Sequence, residues 1–129
     1  MTTRRIPADA GVAQRRSLAA LMSEQELAEE RRGYLARLRG HAPALARLRS
    51  VLRGAAAPPA ALDELRTIAH KLAGSAALFG FEQLGGAAAA LEDSIIERQS
   101  DRGDPGRVES ELDVLLGRVA RAQENACAA

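Results

Sequence analysis

The chain has 129 residues, and its 18 basic and 17 acidic side chains leave a formal charge of +1, so it is sized for one compact domain and has no net field to draw it to nucleic acid or anionic lipid. Hydrophobic residues reach 47% while aromatics make up 2%, a mix that suits closely approaching helices and disfavours a β-sandwich, which needs Val, Ile, Thr and aromatic residues. The one cysteine, Cys127, excludes an intramolecular disulfide and a multi-cysteine zinc site, and no apolar run approaches the roughly 18 residues of a membrane span.

Residues 1–22 stand apart as a basic tail. Arg4, Arg5, Arg15 and Arg16 outweigh Asp9, Pro7 and Gly11 break an early helix, and Val12, Leu18, Leu21 and Met22 are spaced for a short amphipathic helix over about 12–22. From Ser23 the pattern is helical, with Ser23 and Glu26 at capping-box spacing. Tyr34, Leu38, His41, Leu45, Leu48 and Leu52 then recur at alternating steps of four and three. Gly40 and Pro43 interrupt that stripe and predict a kink or short break at 40–43; His41 reads as a partly buried structural histidine. The run GAAAPP over 54–59 predicts a loop. A second helix follows over about 60–79, with Leu62, Leu65, Ala69, Leu72, Ala76 and Phe79 inward and Gly80 as its stop. A third runs over about 82–100 on Leu84, Ala88, Leu91 and Ile95. The turn cluster DRGDPG at 101–106 leads to a fourth helix reaching about 124, built on Val108, Leu112, Leu115, Val119 and Ala122. Four amphipathic helices with short connections predict an all-α, antiparallel up-down four-helix bundle over 23–129, preceded by an N-terminal helix or tail.

On a wheel of 100° per residue the core stripe of the second helix clusters within about 80° of arc, and His70 points roughly 140° from its centre. It shares that outer face with Asp63, Arg66, Thr67, Gly74 and Ala77, with Ala73 at the margin. Beyond His70 the surface is therefore stripped to Gly and Ala. A glycine inside a helix costs about 1 kcal/mol relative to alanine, and close approach of a docking protein is a physical reason for Gly74. Lys71, the single lysine against seventeen arginines, adjoins the histidine. An exposed imidazole is mostly neutral and nucleophilic at physiological pH. No Ser, Cys or acid is spaced to form a triad with it, and with His41 far away it makes a poor metal site. A solitary histidine with a cation nearby suits transient holding of a phosphoryl group, although an exposed His beside a Lys is also ordinary helix surface.

Residues 69–92, AHKLAGSAALFGFEQLGGAAAALE, resemble the signature of histidine phosphotransfer (HPt) domains, H-x-L-K-G-S-x-x-x-x-G-x-x-x-L-x-x-x-C-x-x-L-E. His70, Leu72, Gly74, Ser75, Gly80, Leu84, Leu91 and Glu92 match in register, and Ala88 takes the cysteine-like small position. The resemblance implies that His70 is a phosphoacceptor serving receiver-domain aspartates in two-component signalling. It further implies that Gly74 admits the receiver, and that Ser75 and a neighbouring lysine place the phosphoryl group. Asp63, Arg66, Thr67, Ala73 and Ala77 would line the docking face. The family's lysine three positions after the histidine is Ala73 here, which leaves Lys71 or Arg66 as the substitute cation.

On this reading the protein is a cytoplasmic, monomeric phosphocarrier of bacterial type rather than an enzyme. It would have no cofactor or metal of its own, Mg²⁺ would sit on the partner receiver domain, and neither nucleic acid nor membrane would be a partner. A kinase dimerisation domain fits less well, because the residue after its histidine is typically acidic whereas here it is Lys71. The alternative from another class is a helical interaction module that binds a receiver or kinase without carrying phosphate.

Overall fold

The computed structural model describes residues 23–53 and 57–128. The expected helix at 12–22, the basic tail and the middle of the GAAAPP loop lie outside the described residues. The elements are α1 (Glu24–Leu52), α2 (Pro59–Ser75), a 3₁₀ turn (Ala76–Phe79), α3 (Glu82–Gln99) and α4 (Pro105–Ala128), with no strand among the described residues. Each helix packs on the next in the chain, and α4 returns against α1. Cross-helix bonds show the antiparallel register. Arg49 of α1 meets Glu109 and Asp113 of α4, while ten residues earlier Arg39 meets Gln123. Arg47 pairs with Glu64 near the start of α2, and Tyr34 meets Ser75 at its end. The architecture is the expected all-α up-down bundle.

Local signals place the helix ends. Ser23 caps α1 by accepting from the Glu26 amide at 3.1 Å, while the Glu26 carboxylate accepts from the Ser23 amide at 3.0 Å. That pair of bonds satisfies two otherwise orphaned donors and holds the Glu26 carboxyl below its usual range, chiefly through the Ser23 backbone bond. Pro59 opens α2 at a position where the missing amide costs nothing. Gly80 closes the 3₁₀ turn at φ +89°, in the left-handed region, with its amide donating to Ala77. Asp104 accepts from the Gly106 amide at the start of α4.

The core follows the stripes read from the sequence. Leu38, Leu45, Leu65, Leu72, Leu91, Ile95, Leu112 and Leu115 are essentially solvent-free. Ile68, absent from the expected stripe of α2, is also buried. The buried Ser94 hydroxyl donates to the Leu91 carbonyl, so its polar group is satisfied. All three aromatic residues of the chain meet at one end of the bundle. Tyr34 stacks on Phe79 with centroids 4.8 Å apart and lies 5.8 Å from Phe81, and Arg37 lies over two of the rings.

The short break expected at 40–43 does not occur, because α1 is helical throughout with Pro43 inside it. Proline removes one backbone bond and crowds the preceding turn. Leu38 on one side and Leu45 and Leu48 on the other are buried in the core, and this tertiary burial holds the helix across the defect. His41 is half-buried, as expected.

Candidate functional site

α2 is anchored by Leu62, Leu65, Ile68, Ala69 and Leu72, so the opposite side of the helix stands free. Asp63, Arg66, Thr67, His70, Lys71 and Gly74 are all exposed there. His70 sits in the middle of this face with 76% of its side chain accessible. The antiparallel register brings Glu92 of α3 alongside, with Oε2 2.8 Å from His70 Nδ1. A carboxylate can only accept, so Nδ1 carries the proton and donates it. Nε2 is thereby left unprotonated on an exposed side chain. Glu92 itself is mostly covered, its side chain retaining 20% exposure, which fixes the anchor while the imidazole projects.

His70, Lys71, Glu92, Arg66, Thr67 and Asp63 line one open groove. At its edge α2 and α3 are tied by a polar chain. The Gln99 amide donates to Asp63 Oδ1 at 2.8 Å, and Arg66 donates to the Gln99 carbonyl oxygen at 3.0 Å. Thr67 returns its hydroxyl to the Asp63 carbonyl within α2. One turn after His70, a Cβ built on Gly74 would meet nothing within 4 Å. No contact among the described residues requires glycine at that position.

Three expected positions fall elsewhere. The Ser75 hydroxyl is turned away from His70 and bonds the Tyr34 hydroxyl at 3.0 Å and the Lys71 carbonyl at 2.8 Å. Five residues on from His70 a helix has turned through about 140°, so Ser75 ties α2 to α1 instead of reaching a group on the imidazole. Burial raises the Tyr34 phenol pKa, and the Ser75 bond partly opposes that shift. Ala73 packs against the core, and Ala77 is half-buried in the 3₁₀ turn. A Cβ built on Gly85 of α3 would lie 3.5–3.9 Å from Ala76 Cβ, the Ala77 amide and the Ala73 carbonyl, so α3 packs closely on this stretch. The outer face of α2 is therefore narrower than the wheel implies.

Two residues of the site escaped the reading of α2 alone. Glu92 was visible as the last position of the 69–92 motif, but its bond to the histidine depends on helix pairing. Gln99 lies beyond that motif, and no local signal marks it. Among the described residues no group of three or more His, Cys, Asp or Glu side chains is placed to hold a metal, and no helix is long and apolar enough to cross a membrane. A family model described as Hpt domain matches residues 24–124. Comparison with curated proteins and with solved structures returned no match.

Proposed function

The chain belongs to the Hpt domain family, whose members serve histidine phosphotransfer in phosphorelay signalling, and from that premise we propose that it carries a phosphoryl group on His70 Nε2 between receiver-domain aspartates. The observation that carries this reading is the Glu92–His70 bond at 2.8 Å, which commits Nδ1 to protonation and leaves Nε2 as an exposed nucleophile. Nε2 attacks the phosphorus of a receiver acyl phosphate, the N–P bond forms as the P–O bond breaks, and the aspartate leaves as a carboxylate. The ring becomes cationic as it attacks, and the adjoining Glu92 carboxylate stabilises that charge. The reverse sequence hands the group on.

The receiver supplies Mg²⁺ and the aspartate, so the chain acts as a phosphocarrier without a cofactor of its own. Gly74 gives the receiver backbone room to close over the imidazole. A monomer in the cytoplasm, acting on no nucleic acid or membrane, completes the reading. Ala73, where the family carries lysine, favours the second reading of a phosphate-free module on the same bundle.

Incubation of wild type and His70→Gln with phosphorylated receiver domains separates the two readings. Acid-labile, base-stable label on wild type alone is the expected result. Receiver binding without label would replace the carrier by the interaction module. His70→Gln is expected to unfold within a few degrees of wild type because the side chain is exposed; a large loss of thermal stability would make His70 structural.

A further inference from the structure

A phosphoryl group on His70 brings close to two negative charges and three acceptor oxygens onto the groove, and the family's usual lysine is replaced by Ala73, which packs against the core. Two cations remain in the groove, Arg66 and Lys71, and they are held differently. Arg66 lies one turn before His70, the spacing at which helix side chains are neighbours, about 5–6 Å apart at Cβ. Lys71 is the next residue, about 100° round the helix, and no hydrogen bond or ion pair fixes it among the described residues.

Arg66, like Arg39 and Arg118, is bonded to a glutamine side chain, and of these three it is the one that lines the groove of His70. Arg47, Arg49 and Arg107 each pair with carboxylates. Arg66 instead meets the neutral Gln99 amide, and no carboxylate lies within ion-pair distance of it among the described residues. The orientation of that amide is set by Asp63, whose carboxylate can accept only from the Gln99 NH₂ and so turns the Gln99 oxygen to Arg66. The guanidinium is thus held in place by a neutral partner, with no carboxylate bonded to it directly among the described residues. It has five N–H donors, and the bond to Gln99 leaves the rest for an anion.

We propose that Arg66, positioned by Gln99 and Asp63, is the cation that binds the phosphoryl oxygens on His70, in the role that the family's lysine would otherwise fill. This rests on His70 being the phosphoacceptor. Arg66 is the residue that touches the phosphoryl group. Gln99 acts through it, and Lys71 is dispensable. The planar fork of an arginine suits a three-oxygen anion better than a mobile ammonium.

The test phosphorylates the full chain with phosphoramidate, whose P–N bond breaks with release of ammonia as the His70 Nε2–P bond forms, and so needs no receiver. The phosphohistidine is followed by ³¹P NMR across pH in wild type, Arg66→Ala, Arg66→Lys, Gln99→Ala and Lys71→Ala. A neighbouring guanidinium favours the dianionic phosphoryl group. The pH at which the dianion takes up a proton to become the monoanion is therefore expected to rise in Arg66→Ala, by about one unit if the contact is a charge-assisted bond. Arg66→Lys restores part of the shift, Gln99→Ala shows a smaller rise, and Lys71→Ala matches wild type. The steady-state label taken from a phosphorylated receiver is expected to fall about tenfold in Arg66→Ala, the same free energy read as an equilibrium.

An Arg66→Ala titration identical to wild type overturns the proposal while leaving the carrier reading intact, and a shift confined to Lys71→Ala transfers the role to Lys71. A wild type that takes no label from phosphoramidate or from any receiver overturns the carrier reading and this proposal with it. Loss of helicity in Arg66→Ala would be met by Gln99→Ala and Arg66→Lys, which must still separate in the stated order.

Discussion

At the scale of single residues, the site depends on which nitrogen of His70 carries the proton. Glu92 decides it, since an accepting carboxylate 2.8 Å from Nδ1 selects the tautomer with a free Nε2. Carboxylates that orient metal-bound imidazoles typically contribute ten- to hundredfold, and Glu92 holds the His70 ring in the same way. Glu92→Ala is therefore expected to slow phosphoryl acceptance from a receiver by at least about tenfold with little change in receiver affinity. Glu92→Gln keeps an accepting oxygen without the charge and should lose less. Equal rates in all three proteins would remove Glu92 from the mechanism. The 69–92 motif announced both His70 and Glu92, but their bond is a product of register between two helices. The Ser75 hydroxyl shows the reverse case. It matches the motif, yet the turn of α2 carries it to Tyr34.

At the scale of elements, α2 and α1 each contain a residue that helix propensity opposes. Gly74 is exposed, and a Cβ built there would meet nothing within 4 Å among the described residues. Gly74→Gln is expected to stabilise the isolated protein by about 0.5–1 kcal/mol while abolishing docking of a phosphorylated receiver. Unchanged transfer in that variant would leave the glycine without a functional reason. Pro43 is the second case. Since α1 continues through it with Leu38, Leu45 and Leu48 buried, Pro43→Ala adds an amide to an intact helix and relieves the clash with the turn before it. The expected gain is about 1–3 kcal/mol in chemical denaturation. A loss of stability would mean that the fold uses the proline. The short break is absent at 40–43 because the buried leucines on either side of Pro43 outweigh its low local helix propensity.

At the scale of the whole molecule, ring closure depends on α1 meeting α4. Besides the buried leucines, Arg49 bridges that seam to Asp113 at 2.6 Å and Glu109 at 3.1 Å. The Arg49 hydrogen bond is the main cause that lowers the Asp113 carboxyl pKa in the fold. A carboxyl depressed on folding adds stability above its unfolded pKa, and loses it as pH falls through the lower, folded value. Asp113→Asn is thus expected to melt below wild type at neutral pH, with the gap closing as pH drops below about 4. Salt should narrow the gap as well, because the Asp113 side chain is solvent-exposed. A constant difference from pH 7 to pH 2 would show that the ion pair is not its source.

The sequence by itself determined the four helices, most of their core stripes, the cap at Ser23, the stop at Gly80 and the outward direction of His70, because each follows from local periodicity or from one residue's backbone preference. The tertiary structure decided the partners: Glu92 on Nδ1, Gln99 on Arg66, Tyr34 on Ser75, and the half-burial of Ala77 beneath α3. It also decided that α1 passes unbroken through Pro43. Each of these depends on the axial register and separation of two helices far apart in the chain. That register is set by how whole faces interlock, a sum over many side chains that no local spacing contains.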